Sequence, residues 1–259
     1  MTQLDIHGLT REELLAAARE LLPQGAGVAS RVYRQVMLEG RFEPETLGLS
    51  ARTAAAWREH FRFELPEVQT VAEEDTPVGL TAKAVLRLAD GYEAECVHIP
   101  MGRGRHTLCI SSQVGCKMGC TFCETARMGL LRHMTSAEIV GQLLVARHRL
   151  GWDVGNIVFM GMGEALDNPD GVLQALRVMN DSGGLAMAQE AFTVCTVGNV
   201  AGLDRLATLG FKRLNVSVSL NAANDTLRSR IMPVNRKTPL AELQRALAAY
   251  RPRRNFALG

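Results

Sequence analysis

Apolar residues near the start recur at helical spacing. Thr10-Arg-Glu-Glu13 has the form of a capping box and leads into Leu14, Leu15 and Ala18 on one helix face. A second helix is expected from about Gly27 to Leu38, with Val28, Val32, Tyr33 and Val36 on one side. A third, near Ser50 to Phe61, also begins at a serine cap. The pattern then shifts to β-rich or alternating stretches at Val68–Val71, Ala84–Leu88 and Glu95–Ile99, with Asp90-Gly91 as a hairpin signal.

Beyond Pro100 strand and helix patterns alternate. Strands are expected at Thr107–Ser111, Asn156–Met160, Phe192–Thr196, Leu214–Leu220 and Asn255–Leu258. Helices are expected at Ser136–Arg149, Pro169–Asp181 and Ala201–Leu209, and within an irregular stretch containing Asp225–Ile231 and Pro239–Tyr250. Repeated β-α units imply an α/β fold with a parallel sheet, and functional residues at the C-terminal ends of its strands. The division expected is a helical and β-hairpin accessory domain over residues 1–100 and an α/β core over 101–259. The chain stops inside a strand candidate, at Ala257-Leu258-Gly259, and reads as truncated at its C-terminus.

Composition excludes disorder and repeats as the main architecture, since 47% of the 259 residues are hydrophobic and 22% charged. No apolar run approaches the roughly 20 residues of a membrane helix, and the N-terminus lacks the pattern of a secretory signal. A cytoplasmic protein without membrane contact is the expectation. Net charge is +2, with 25 arginines among the 29 basic residues and the positive balance in the second part of the chain. That is permissive for nucleic acid but equally compatible with a solvated face.

The cysteines change the picture. Cys116, Cys120 and Cys123 stand in a C-x3-C-x2-C spacing after a strand and before a helix. Such crowding in a cytosolic chain points to a metal or redox site rather than a structural disulfide. Three thiolates on one loop can hold three irons of a 4Fe-4S cluster and leave the fourth iron open. The alternative is zinc completed by Cys109, His98 or His106, although no second cysteine knuckle is present. The histidines show no ligand spacing. Arg127, Arg132 and His133 could face a phosphate or solvent, as could the Arg251-Pro-Arg-Arg254 run.

With the aromatic Phe122 before its last cysteine, this motif resembles the signature of the radical S-adenosylmethionine (SAM) superfamily. Glu95-Cys-Val-His-Ile-Pro100, Thr107-Leu-Cys109-Ile-Ser-Ser-Gln-Val-Gly-Cys116 and Thr135-Ser-Ala-Glu-Ile139 are similar to RlmN/Cfr-type RNA methyltransferases, collinearly along the chain. The resemblance implies a partial (β/α)6 barrel and methylation of an adenine carbon in ribosomal or transfer RNA. Cys116, Cys120 and Cys123 would bind the 4Fe-4S cluster, whose open iron chelates SAM. A one-electron donor such as flavodoxin or ferredoxin would allow cleavage to a 5′-deoxyadenosyl radical.

The same resemblance assigns SAM contacts to Gly163 and Glu164, to Cys195, and to Ser219, Leu220 and Asn221. A glycine loop at Gly161-Met-Gly163-Glu164 lets backbone approach a ligand, and a carboxylate suits an ammonium. Glu95 aligns with a proton acceptor. Cys109 would resolve a protein–RNA bond through a transient disulfide with a methyl-carrying cysteine, which should lie beyond residue 259. A late asparagine contact and two further barrel elements should lie there too. Ala165 stands where the family has proline, Cys195 where it has serine and Asn221 where it has histidine. The rival expectations are a radical SAM enzyme with a non-RNA substrate and a zinc-containing nucleic-acid-binding protein.

Overall fold

A computed structural model describes residues 3–250. The capping box read from the sequence at Thr10 forms, and a second one stands at Thr135. Thr10 and Glu13 cap α1 (Arg11–Leu21), and Thr135 and Glu138 cap α5 (Ser136–His148). Helices α2 (Ala29–Glu39) and α3 (Ala51–His60) follow α1, and α2 ends at Gly40 in the left-handed conformation. The Gly40 Cα faces the His148 ring so closely that a methyl group there would meet it at 2.6 Å. A short parallel pair, β1 (Leu4–Asp5) with β2 (Phe61–Arg62), closes this helical region.

Seven strands then form one mixed sheet. β3 (Glu67–Thr76), β4 (Gly79–Arg87) and β5 (Glu93–Pro100) run antiparallel, and β5 pairs antiparallel with β6 (His106–Cys109). β9 (Asn156–Phe159), β10 (Phe192–Thr196) and β11 (Asn215–Val218) extend the sheet parallel to β6. The Asp90-Gly91 turn joins β4 and β5 as expected, with the Leu88 N–H bonding the Tyr92 carbonyl. Strands β3 and β4 run further than their apolar patterns, because the exposed Glu73, Glu74 and Asp75 pair through backbone alone. The sheet passes through Pro100 without a break, so the hairpins and the parallel strands share one hydrophobic core. The strand expected at Asn255–Leu258 and the Arg251–Arg254 run lie outside the described residues.

The sheet has two unlike faces. Ala84, Cys96, Leu108, Ile157, Val194 and Val216 point to one side and are all buried. Helices α5 and α6 (Pro169–Asn180) contribute the apolar residues packed with them, such as Leu143, Leu144, Val172 and Leu176. The N-terminal helices dock onto α5 and α6: the Arg11 amide bonds Asp181, and Gln174 Nε2 bonds both the Gly8 carbonyl and Glu13. The opposite face carries Lys83, Glu95, Val97, Cys109, Val158, Thr193, Cys195 and Ser217, by the strand registers. Apart from Cys109 these are half-buried or exposed, and several are polar. A face of that character is available for ligand rather than sealed as core. Among the described residues no helix is long and apolar enough to cross a membrane.

Candidate active site

The C-terminal ends of β6, β9, β10 and β11 lie along one edge, and four loops leave from it. The loop after β6 is not the simple strand-to-helix connection that the sequence suggested. Residues Gln113–Cys116 (β7) and Gly129–His133 (β8) pair antiparallel, so the cysteine motif is the closed end of a hairpin. Gly115 and Gly119 take positive φ values of 77° and 70°, which turn the chain where a side chain would be strained. A single-turn helix, α4 (Glu124–Arg127), follows Cys123.

Cys116 and Cys120 are buried and Cys123 is half-buried. Burial pushes the Cys116 thiol up to about 11, although the Met118 N–H donates to its sulfur, and pushes Cys120 up as well. The three sulfurs lie within electrostatic reach of one another, and those of Cys116 and Cys120 within reach of Glu164. Among the described residues no three His, Cys, Asp or Glu side chains converge on a single ion. The zinc completions expected from the sequence are not assembled. His98 and His106 belong to the start of the β6 region, where they meet Asp153 at 2.9 and 3.4 Å and His98 stacks on Trp152. That is the opposite end of β6 from Cys116. Three soft donors spaced apart on one loop, with an amide hydrogen bond to one sulfur, fit a multi-iron cluster better than one zinc ion.

Cys109 sits apart from this trio, on the open sheet face. Its thiol accepts the Met160 N–H, is pushed up to about 11 by burial, and is close enough to Cys195 for their charges to couple. Cys195 pairs in register with Ser217 and hydrogen-bonds with its side chain. Glu95 is on the same face, bonded at 3.0 Å to Lys83 across the strands. The structure therefore brings Glu95, Cys109 and Cys195 onto one surface. All six cysteines are free thiols, so the chain contains no disulfide.

The glycine loop follows β9. Gly163 has φ of 101° and packs on Gln113, where a Cβ would lie 2.5 Å from the glutamine Cβ. Gln113 in turn accepts the Glu164 N–H and donates toward His133 and Asp167. Glu164 departs from the sequence expectation of a carboxylate offered to an ammonium. It is 3% exposed, and its oxygens accept Thr196 Oγ1 at 2.6 Å, the Val197 N–H at 2.9 Å and the Leu166 N–H at 3.3 Å. The carboxylate ties the loop after β9 to the end of β10, and the backbone of Gly161–Gly163 is what remains half-exposed. Arg132 is likewise committed, to Asp90 and Glu138, and does not serve as a free phosphate contact.

Burial raises Glu164 from 4.5 to about 7. The folded chain thus holds this proton more tightly than the unfolded chain. The resulting stability is full below about pH 4.5 and is lost as pH rises through 7, an effect of about 3 kcal/mol. Denaturant titration of metal-free protein at pH 5 and 7.5 should show this loss, and Glu164→Gln should flatten it.

Ser219, Leu220 and Asn221 leave the end of β11, the Ser219 N–H bonding the Thr196 carbonyl at 2.9 Å. Asn221 adopts the left-handed conformation with φ of 56°, and Leu220 is half exposed. Sequence reasoning missed what supports this loop. Two helices follow β10 and β11 in turn, α7 (Val200–Ala207) and α8 (Asp225–Ile231); Arg228, on α8, is 0% exposed and donates to the carbonyls of Val197, Ser219 and Leu220.

A mixed sheet with three thiols on the loop after its first parallel strand, and a glycine loop after the next, defines a radical SAM fold. The superfamily's sequence profile matches residues 110–255. The chain belongs to the radical SAM superfamily and, within it, groups with the RlmN-type proteins. It is 42% identical to a dual-specificity RNA methyltransferase RlmN of Nitratidesulfovibrio vulgaris, over 95% of this chain and 69% of that one. A probable dual-specificity RNA methyltransferase RlmN 1 of Protochlamydia amoebophila is 49% identical over 65% of this chain and 47% of its own length. The crystal structure of a radical SAM methyltransferase from Sphaerobacter thermophilus superposes with a TM-score of 0.85 at 31% identity, covering 95% of this chain and 72% of that one. The chain thus spans about half to two thirds of the length of several of the relatives it matches.

Proposed function

We propose that this chain is the greater part of an RNA methyltransferase that modifies an adenine carbon in ribosomal or transfer RNA. The observation that carries the reading is the placement of Glu95, Cys109 and Cys195 on one open sheet face, at the edge of which the Cys116–Cys123 loop stands. Support for the substrate comes from relatives named as RNA methyltransferases over nearly the whole chain. The parallel strands would form part of a (β/α)6 barrel. The N-terminal helices and hairpins, residues 1–100, would help to grip RNA, and residues 101–259 would carry the core.

Cys116, Cys120 and Cys123 would hold a 4Fe-4S cluster, their protons leaving as the thiolates form. When bound, the cluster supplies one electron from a flavodoxin- or ferredoxin-type donor for reductive cleavage of SAM. The exposed backbone of Gly161–Gly163 would receive the SAM amino group, Glu164 acting by fixing that loop. Cys195 and Ser219–Asn221 would line the nucleoside, with Phe122 exposed beside the cysteines. Glu95 would accept a proton from the adduct, with Lys83 near enough to balance the carboxylate. Cys109, a protonated thiol until its partner arrives, would resolve the protein–RNA bond by forming a disulfide with a cysteine outside this chain.

Isotope-labelled methyl transfer from SAM, under anaerobic reducing conditions, tests the reading by nucleoside mass spectrometry of ribosomal and transfer RNA. In the full-length protein methylated adenine is expected, and Cys109→Ala should accumulate a covalent protein–RNA adduct instead. SAM cleavage without any labelled RNA would point to a substrate of another class.

A further inference from the structure

Arg228 is a completely buried cation on a short helix whose other arginine, Arg230, is exposed. Its guanidinium makes four hydrogen bonds, all to neutral acceptors: Nη2 donates to Val197 O at 2.6 Å and Ser219 O at 3.2 Å, Nε to Leu220 O at 3.1 Å, and Nη1 to Asn235 Oδ1 at 2.7 Å. Asn235 is itself held by Asp225 and Ser229. Among the described residues no carboxylate forms an ion pair with Arg228. Asp225 spends its Oδ1 on the Leu240 N–H and on Asn235, at the exposed end of α8. An enclosed charge with no carboxylate in contact is costly, and three backbone carbonyls and the more distant Asp225 offset it only in part.

The other side of α8 meets the cysteine loop. The Thr121 N–H bonds the Ile231 carbonyl at 2.9 Å, directly between Cys120 and Cys123 in sequence. Gly119 approaches Pro233, to which an added Cβ would stand at 3.6 Å. Arg228 and Cys120 lie close enough across this contact for each to perturb the other electrostatically. α8 is therefore a bridge. Arg228, at the middle of the bridge, holds the loops after β10 and β11, and Ile231, at its C-terminal end, holds the loop with the three cysteines.

We propose that Arg228 is a positioning residue that fixes the strand-end loops after β10 and β11 relative to the cysteine loop, so that SAM and the cluster meet in register, and that its buried charge favours the cluster's reduced state. The inference rests on the reading that Cys116, Cys120 and Cys123 hold a cluster. A thiolate-bound cluster would give the buried cation a second anionic neighbour beside Asp225, which acts on it from a distance without an ion pair. A cation held near a cluster stabilises the state with one more electron and so raises the reduction potential.

The test uses the whole chain, loaded anaerobically with iron and sulfide, as wild type and as Arg228→Lys, Arg228→Gln and Asn235→Ala. Two quantities are read: the midpoint potential of the cluster, and SAM affinity from the change it produces in the EPR spectrum. Loss of several charge-assisted hydrogen bonds should weaken SAM binding about tenfold or more in both Arg228 variants. Arg228→Gln should also move the potential to more negative values, whereas Arg228→Lys, which keeps the charge, should not. Asn235→Ala should weaken SAM binding to a smaller degree at unchanged potential. A loaded Arg228→Gln chain with wild-type potential would overturn the proposal, even with weaker SAM binding, because the guanidinium would then be scaffold alone. If Arg228→Gln does not fold, wild-type SAM affinity in Arg228→Lys and Asn235→Ala overturns it. Failure of the wild-type chain to take up iron is a separate result, against the cluster itself.

Discussion

Replacing Cys116, Cys120 or Cys123 with alanine is expected to remove nearly all cluster iron from anaerobically reconstituted protein, to below about one tenth of the wild-type content. Each thiolate would hold a different iron, so none can substitute for another. Cys96→Ala, Cys109→Ala and Cys195→Ser should leave iron content unchanged. Cys96 points into the helix-side core, where burial pushes its thiol up to about 12, while Cys109 and Cys195 lie on the open sheet face. The contrast separates a three-cysteine cluster from a four-ligand zinc site. Zinc completed by Cys109 would be lost in Cys109→Ala too. Iron and sulfide analysis of the six variants reads the outcome directly.

The second large effect needs no cofactor. Gly115 lies at the base of the β7–β8 hairpin with φ of 77°, and a Cβ there would meet the Gly129 carbonyl oxygen at 1.9 Å. Gly115→Ala therefore adds a clash with backbone to a left-handed conformation that alanine disfavours. The expected cost is about 3 kcal/mol or more, corresponding to a fall in Tm of roughly 6–12 °C. Gly129, with φ of 67°, has open space around its Cα. Gly129→Ala should cost only about 1 kcal/mol, since strain alone opposes it. Thermal melts of the two variants measure the difference, and cluster loading should fail in the first before it fails in the second.

Much of the fold was readable because local chemistry and tertiary context agree. The Thr10 capping box, the helix starts at Ser136 and Pro169 and the whole of Phe192–Thr196 appear where propensity and period place them. Their signals lie within a few residues of each other. The β7–β8 hairpin gave no such signal, because Gln113–Cys116 pairs through a bulge with a segment on the far side of the cysteine loop. Nor did β3 show its length, since an edge strand rich in glutamate lacks the apolar alternation that marks a strand.

The site was legible to a different depth. Its sulfur ligands announce themselves by spacing, and the family resemblance placed Glu95, Cys109 and Cys195 without knowledge that they share a face. Glu164 and Arg228 were harder. A carboxylate in a glycine loop, or an arginine on a polar helix, is by default assigned to solvent or ligand. Both are instead buried ties between loops, Glu164 joining β9 to β10 and Arg228 joining β10 and β11 to α8. Only long-range packing decides that.

The proposed chemistry depends on the cysteine loop holding a cluster with one open iron. Protein purified without oxygen should therefore be analysed for iron, sulfide and zinc together, with EPR of the reduced sample before and after SAM is added. About four irons and four sulfides per chain, with a spectrum that SAM perturbs, are predicted. Stoichiometric zinc without iron or sulfide, in protein never exposed to air, would contradict it.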